Sequence, residues 1–224
     1  MTENKKCNIV NLGCRLNIYE SEVIKLLTNK NNINGYTIIN SCAVTNEAEK
    51  KVDYIIRKTK RLQPSKKIIV TGCAAQINPS KYNQMPEVDL VLGNNEKVKE
   101  KIWQNIKSIN QIQVGNIFKI SSTQNHIIEK FTGKARAYIE IQQGCDHRCT
   151  FCIIPFGRGN NRSVPVGVIV NRVKNIVKNN YKEVVLTGVD ITDYGKNLPG
   201  KPSLFQLSRR LLNLIPELEQ LRLS

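Results

Sequence analysis

The sequence predicts an α/β protein made of two successive sets of strand–helix units. Three observations carry this. Short apolar runs alternate with segments of helical periodicity from residue 7 onward, the pattern of parallel strands joined by helical crossovers. Three isolated cysteines, Cys14, Cys42 and Cys73, each follow one of the first three apolar runs. Past a weakly patterned stretch the alternation restarts, and the first strand of the new set leads into three cysteines inside eight residues. At 224 residues the chain suffices for one large or two modest domains and can bury a core without covalent staples.

CNIVNLG (7–13) is a short apolar run ending in glycine, the first expected strand. NIYESEVIKLLTNK (17–30) puts Ile18, Val23, Ile24 and Leu27 at helical spacing. YTIINS (36–41) is a second strand. TNEAEKKVDYIIRKTKRLQ (45–63) is a helix with Thr45 as N-cap and Ala48, Val52, Ile55 and Ile56 on one face. KKIIVTG (66–72) and VDLVLGN (88–94) are further strands, and NEKVKEKIWQNIKSI (95–109) is a closing helix. The carboxyl ends of parallel strands share one sheet edge, where ligand sites form. Cys14, Cys42 and Cys73 stand just past three such ends. A single cysteine there is an ordinary small core residue; three in equivalent positions predict a metal site.

Residues 110–134 are polar, either a linker or a pair of extended strands. RAYIEIQQG (136–144) alternates as a strand and delivers the chain to Cys145. VGVIVNRVKNIVKNN (166–180) is a helix, KEVVLTGVD (182–190) a strand, SLFQLSRRLLNLI (203–215) a helix, and LEQLRLS (218–224) begins another strand. These are the units of a β/α barrel, though far fewer than the roughly 250 residues of a complete eight-unit one. Cys145, Cys149 and Cys152 have the spacing C-x3-C-x2-C. Three thiolates can hold three irons of a 4Fe–4S cube and leave the fourth open, whereas closed clusters use four cysteines. Structural zinc takes four ligands, usually from C-x2-C pairs. His147, between the first two cysteines, is expected to face solvent.

Hydrophobic content of 40% and charged content of 23% are those of a soluble globular protein. No apolar run approaches the ~18 residues of a membrane span. MTENKKCNIVNLGC has no apolar signal region or cleavage site, so a cytoplasmic location is expected. There thiols stay reduced, and clustered cysteines mean metal or catalysis; seven is also an odd number for a disulfide framework. The net charge of +16 divides as +8 on each side of residue 130, so it is not a basic tail. A spread basic surface suits a polyanion such as RNA, and also the composition of an A+T-rich genome. The helix at 45–63 carries Lys50, Lys51, Arg57, Lys58, Lys60 and Arg61, either a solvated face or an RNA contact.

In chain order, GCRLNIYESE, NSCAVTNEAEKK, GCAAQ, GCDHRCTFCIIPFGRG and VVLTGVDITDYG resemble the radical S-adenosylmethionine (SAM) superfamily and, together, its methylthiotransferases. The resemblance covers nearly the whole chain. It implies a flavodoxin-like, parallel-sheet domain over 1–112, a linker over 113–133, and over 134–224 an incomplete radical SAM (β/α) barrel, without its remaining strands or the tRNA-gripping TRAM domain. It implies two 4Fe–4S clusters and SAM as cofactors. Cys145, Cys149 and Cys152 would hold the SAM-binding cluster, and Cys14, Cys42 and Cys73 the auxiliary cluster that carries or supplies sulfur. Phe151 would pack near the SAM adenine, and Gly188 and Asp190 of LTGVD lie where the family's SAM contacts fall. Arg158 is counted with them as a partner for a phosphate or carboxylate; without the resemblance it reads as a solvated loop arginine.

The implied reaction is radical. One electron cleaves SAM, the resulting 5′-deoxyadenosyl radical takes hydrogen from C2 of the adenosine at tRNA position 37, and a second SAM supplies a methyl group. CAVTNEA is most similar to the branch acting on N6-threonylcarbamoyladenosine; isopentenyladenosine is the alternative. The implied partners are the tRNA anticodon stem-loop and a reductant such as flavodoxin or ferredoxin, with the protein a monomer. NNRSVP departs from the family by placing Val164 after Ser163 where an arginine is expected, with Arg162 a candidate substitute, and Cys7 matches no ligand position. Two other classes stay open on the residues alone: a non-catalytic iron–sulfur module, and an RNA-binding protein with structural zinc.

Overall fold

The computed structural model describes residues 7–224, so the signal-peptide reading of residues 1–6 lies outside the described residues. β1 (Asn8–Asn11), β2 (Tyr36–Ser41), β3 (Lys67–Gly72), β4 (Leu90–Leu92) and β5 (Ile112–Gln113) form one parallel sheet in the order 1-2-3-4-5. The expected parallel sheet between helices is present. Its order lacks the reversal of a flavodoxin-like 2-1-3-4-5 sheet. Successive strand residues point to opposite faces, so the wholly apolar centres of β2 and β3 feed two cores. α1 (Arg15–Lys30) packs Val23, Ile24 and Leu27 with Ile38, Ile69 and Leu92. α2 (Asn46–Leu62) packs Val52 and Ile56 with Ile39, Ile68 and Val70 on the other face. Each such buried side chain contributes about 1.5–3 kcal/mol. Thr45 caps α2 as expected, its Oγ1 accepting from the Ala48 N–H at 3.1 Å.

The closing helix expected over 95–109 is broken. Residues Glu96–Val98 form a single 3-10 turn, Lys99 is extended, and α5 spans only Glu100–Gln104. The Lys97 carbonyl accepts from the Trp103 indole N–H at 2.8 Å, and the Lys97 side chain turns wholly inward. Two short helices that the periodicity did not predict follow β3: α3 (Cys73–Ile77) and α4 (Pro79–Asn83), the second capped by Asn78 with proline in its first turn. β5 extends the sheet one strand further than expected.

The linker segment contains no pair of extended strands. It is irregular around one 3-10 turn at Ile117–Lys119, yet it is packed down by buried Ile117, Ile128 and Phe131. The second sheet is parallel in the order β10–β9–β6, from β6 (Arg136–Glu140), β9 (Glu183–Thr187) and β10 (Gln220–Leu223). α7 (Val166–Lys178) and α8 (Leu204–Leu214) supply the crossovers, the latter closed by a Ser203/Gln206 capping box. β7 (Gln142–Gln143) and β8 (Arg162–Ser163) form a small antiparallel pair. α6 (Ile154–Arg158) leads from the cysteine cluster towards β8. One apolar core runs through both halves, from Val23 and Leu27 of α1 to Ala137 and Ile139 of β6 and Val173 of α7.

At the seam of this core sits a buried ionic network. Glu20 and Lys97 have no exposed side-chain surface, and Lys97 Nζ donates to Glu20 Oε2 at 2.7 Å, to Asn94 Oδ1 at 2.7 Å and to Asn40 Oδ1 at 3.0 Å. Arg158, from the other half of the chain, pairs with both oxygens of Glu20. Burial would raise the Glu20 pKa, but Arg158 and Lys97 outweigh it and hold it down at about 2. The folded value lies below the ordinary value of about 4.3, so Glu20's stabilisation is complete above that pH and is lost as pH falls towards 2. Glu20→Gln leaves two buried cations without their carboxylate. It should lower the unfolding free energy by about 3–5 kcal/mol in urea titrations at neutral pH. The loss of stability of the unsubstituted chain between about pH 4 and pH 2 should be shallower in the variant.

Candidate functional site

The first cysteine set lies along the carboxyl edge of the five-stranded sheet. Cys14 is the N-cap residue of α1 and exposed, Cys42 follows β2 and is half-buried, and Cys73 opens α3 and is half-buried. Gly72 before Cys73 has φ +98°, and a Cβ there would lie 2.3 Å from the Ser41 carbonyl oxygen; only glycine brings β3 that close to β2 as it turns out. Burial pushes the Cys42 thiol up, and the neighbouring Cys73 and Cys14 add to it. Cys73 Sγ accepts from Arg158 Nε at 3.2 Å and from Asn94 Nδ2 at 3.6 Å, while the Cys14 thiol donates to Asn17 Oδ1 at 3.4 Å.

The second set is a loop pinned from several sides. Gly144 has φ +72°, and a Cβ there would lie 1.9 Å from the Asn160 carbonyl oxygen. The Cys145 N–H donates to the Gly159 carbonyl at 3.0 Å and the Cys152 N–H to the Cys149 carbonyl at 3.0 Å. Arg148 ties the loop inward, donating to the Cys145 carbonyl at 2.7 Å and to Asn160 Oδ1 at 2.7 Å. Burial raises the Cys145 thiol, reinforced by Asp190, Cys152 and Cys149. Among the described residues, His147, Asp190 and Asp193 bring one ligand atom each within 4.8 Å of one another beside this loop.

The other expected site residues fall in three places. Phe151 stands 91% exposed on the loop between Cys149 and Cys152. Gly188 and Asp190 lie in the turn after β9. A Cβ on Gly188 would stand 2.8 Å from Gln142 Oε1, and that oxygen accepts the Val189 and Asp190 N–H groups at 2.8 and 2.9 Å. Asp190 Oδ2 is 3.9 Å from Cys145 Sγ and 3.3 Å from the ring of His147, which is exposed as expected but not free of partners. Arg158 is the exception. It is 2% exposed, not a solvated loop residue, and it reaches the first cysteine set rather than the second. Arg162 is also buried, bonded to the Arg158 and Asn160 carbonyls. Cys7 is half-buried with its thiol directed to the Ile33 carbonyl.

Three contributors escaped sequence reasoning: Glu20, Asn94 and Gln142. Gln142 Nε2 also donates to the Gly144 carbonyl at 2.6 Å, so this one amide ties the β9 turn to the backbone before Cys145. Its only signal was a glutamine pair at the end of an otherwise alternating strand.

A parallel sheet with three cysteines on its edge, followed by β/α units that open on C-x3-C-x2-C, defines a radical SAM protein with an additional cysteine domain. Residues 6–93 match the family described as "Uncharacterized protein family UPF0004", and residues 139–219 match the radical SAM superfamily. The chain is 49% identical over its full length to the threonylcarbamoyladenosine tRNA methylthiotransferase MtaB of Rickettsia prowazekii, covering 53% of that protein. It is 36% identical to the protein of the same name from Thermotoga maritima, over 98% of the chain and 51% of the relative. The chain therefore carries both matched domains and is similar along its whole length to radical SAM methylthiotransferases, while it spans about half the length of these relatives. The fold is shared with the radical SAM methyltransferase TsrM of Kitasatospora setae, at a TM-score of 0.61 and 10% identity over 94% of this chain and 51% of that one. No helix among the described residues is long and apolar enough to cross a membrane.

Alanine at position 144 would need a left-handed backbone and a shift of the 159–160 segment. Gly144→Ala should lower the unfolding free energy by at least about 1–3 kcal/mol. Gly167→Ala, on an exposed helix position with nothing within 4 Å, should leave it unchanged or raise it by up to about 1 kcal/mol in the same denaturation assay.

Proposed function

We propose that the protein is a tRNA methylthiotransferase acting on N6-threonylcarbamoyladenosine at position 37 of the anticodon stem-loop. The observation that carries this reading is the pairing of two cysteine sets through one short helix. α6 begins just after Cys152, and a Cβ on its Gly157 would lie 3.1 Å from the Cβ of Cys73. An activating centre and a sulfur-supplying centre have to serve the same adenosine, and this packing holds them in one body. The shared branch motif CAVTNEA and the names of the relatives support the substrate.

In this reading residues 1–112 form the auxiliary-cluster domain, 113–133 the linker and 134–224 the first part of the barrel. Cys145, Cys149 and Cys152 hold one 4Fe–4S cluster, and Cys14, Cys42 and Cys73 hold the other. Bound at the first of these, iron–sulfur and SAM together supply reductive cleavage of SAM to a radical able to remove hydrogen from an adenine ring. The protein's own residues position and shield. Gly144 and Arg148 fix the loop that presents the three thiolates. Gly188 lets Gln142 and Ile191 pack against the β9 turn, and Gln142 Oε1 holds that turn by the turn's N–H groups, with Asp190 facing the loop. Phe151, exposed until SAM binds, offers an apolar face to the adenine. The protein is read as a cytoplasmic monomer taking electrons from a flavodoxin or ferredoxin, and its spread positive charge favours the RNA backbone.

Anaerobic reconstitution with iron and sulfide should give about eight irons per chain, two clusters' worth. Replacing Cys145, Cys149 and Cys152 together by alanine should leave about four irons and abolish formation of 5′-deoxyadenosine from SAM. Replacing Cys14, Cys42 and Cys73 should also leave about four irons and retain SAM cleavage. Zinc in place of iron, or about four irons in the unsubstituted chain, would overturn the two-cluster reading.

A further inference from the structure

Arg158 has every donor committed. A guanidinium carries five N–H groups in a rigid fork. Here Nη2 donates to Asn17 Oδ1 at 2.7 Å and Glu20 Oε2 at 3.1 Å, Nη1 donates to Glu20 Oε1 and to Gln143 Oε1 at 3.2 Å, and Nε donates to Cys73 Sγ at 3.2 Å. The fork is locked on one side by a buried carboxylate and two amides, so the remaining N–H can only point at the sulfur. Asn94 reaches the same sulfur at 3.6 Å and accepts nothing from it; its other N–H donates to the Gly157 carbonyl at 2.6 Å, one residue before Arg158. The loop that carries the second cysteine set thus ends in a residue that grips a ligand of the first.

We propose that Arg158 is a positioning residue for the centre held by Cys14, Cys42 and Cys73: its Nε–H, anchored through Glu20 and Asn17, orients the Cys73 thiolate and draws charge from its sulfur, making that centre easier to reduce. This rests on the two-cluster reading above. Hydrogen bonds to ligand sulfurs are among the determinants of iron–sulfur potential, and partners behind the ligands orient them. Lysine at 158 keeps the charge. It has no donor at the branch point of a planar fork, so it can satisfy Glu20 or the sulfur but not both at this geometry. The arginine also makes the centre's potential depend on the seating of α6, and so links the auxiliary centre to the loop of the other.

The test isolates the auxiliary centre in the full chain carrying Cys145→Ala, Cys149→Ala and Cys152→Ala, reconstituted anaerobically and titrated with dithionite while the reduced cluster is followed by electron paramagnetic resonance. Against this background Arg158→Lys should retain about four irons. Its one-electron equilibrium should shift about tenfold towards the oxidised form, a fall of about 59 mV, with an altered resonance line shape. Asn94→Ala, which removes the weaker bond to Cys73 together with the bonds to Gly157 and Lys97 but leaves Arg158 in place, should shift it in the same direction by less. Retained iron with an unchanged potential in Arg158→Lys would overturn the proposal, even if the variant were less stable, because a merely structural arginine predicts that result. If Arg158→Lys does not fold, Asn94→Ala decides alone: a lowered potential supports the proposal and an unchanged one overturns it. Failure of the background protein itself, with Arg158 intact, to take up iron would overturn the cluster reading and this proposal with it.

Discussion

The carboxylate of Glu20 is the point on which the two halves of the chain meet. It has no exposed surface, and an ionised carboxylate without water is tolerated only where cations and further hydrogen bonds replace its solvation. Both cations come from far along the chain: Lys97 from the broken segment after β4, and Arg158 from the end of α6, 138 residues away. Each of those segments bends from its local preference to arrive. The helix suggested by residues 95–109 gives way at Lys99 so that Lys97 can turn inward, and its freed carbonyl is taken by Trp103. A pairing of this kind specifies position more than it adds stability, since an apolar replacement of the whole set would pack as well. Here the specified position is the docking of the cysteine loop onto the cysteine edge of the sheet.

That docking explains why the six cysteines can act as two neighbouring sets although they come from two sheets. Parallel strands place Cys14, Cys42 and Cys73 at one edge by topology alone. The loop from Cys145 to Cys152 has no sheet to position it. It relies on Gly144, Arg148 and the Gly159 carbonyl at its base, and on Gln142 to hold the β9 turn opposite. α6 then carries the chain directly to the seam. The helix is five residues long, too short to be stable by itself. Its stability comes from α3 on one side and from the ionic network at its last residue on the other.

The parts of this architecture visible in the sequence were those set by local periodicity and capping. β2 and α2 fell where alternation, apolar spacing and the Thr45 cap placed them, and the cysteines past the strand ends marked the sheet edge. What stayed hidden depended on distant partners. Nothing in PFGRG shows that Arg158 is buried, because its partners are on α1, α3 and β7. Lys97 lies in a segment whose charges look like an ordinary solvated helix. Glu20 falls on the inner face of α1, in a pattern that otherwise predicted only apolar residues there. The sheet order was hidden for a similar reason: periodicity identifies strands but not which of them are neighbours.

Charge inside the seam is unevenly divided. Glu20 and Glu140 are buried there with Lys97, Arg158, Arg162 and Arg172, so cations outnumber carboxylates in a region without solvent. Burial moreover pushes the Glu140 carboxyl up, against the pull of Arg172. An uncompensated buried cation is costly. The groups nearest the excess that can supply negative charge are sulfurs, above all Cys73, on which Arg158 and Asn94 converge. The excess positive charge of the interior therefore gathers beside one sulfur, where the Arg158 Nε–H and the Asn94 amide meet at the edge of the sheet.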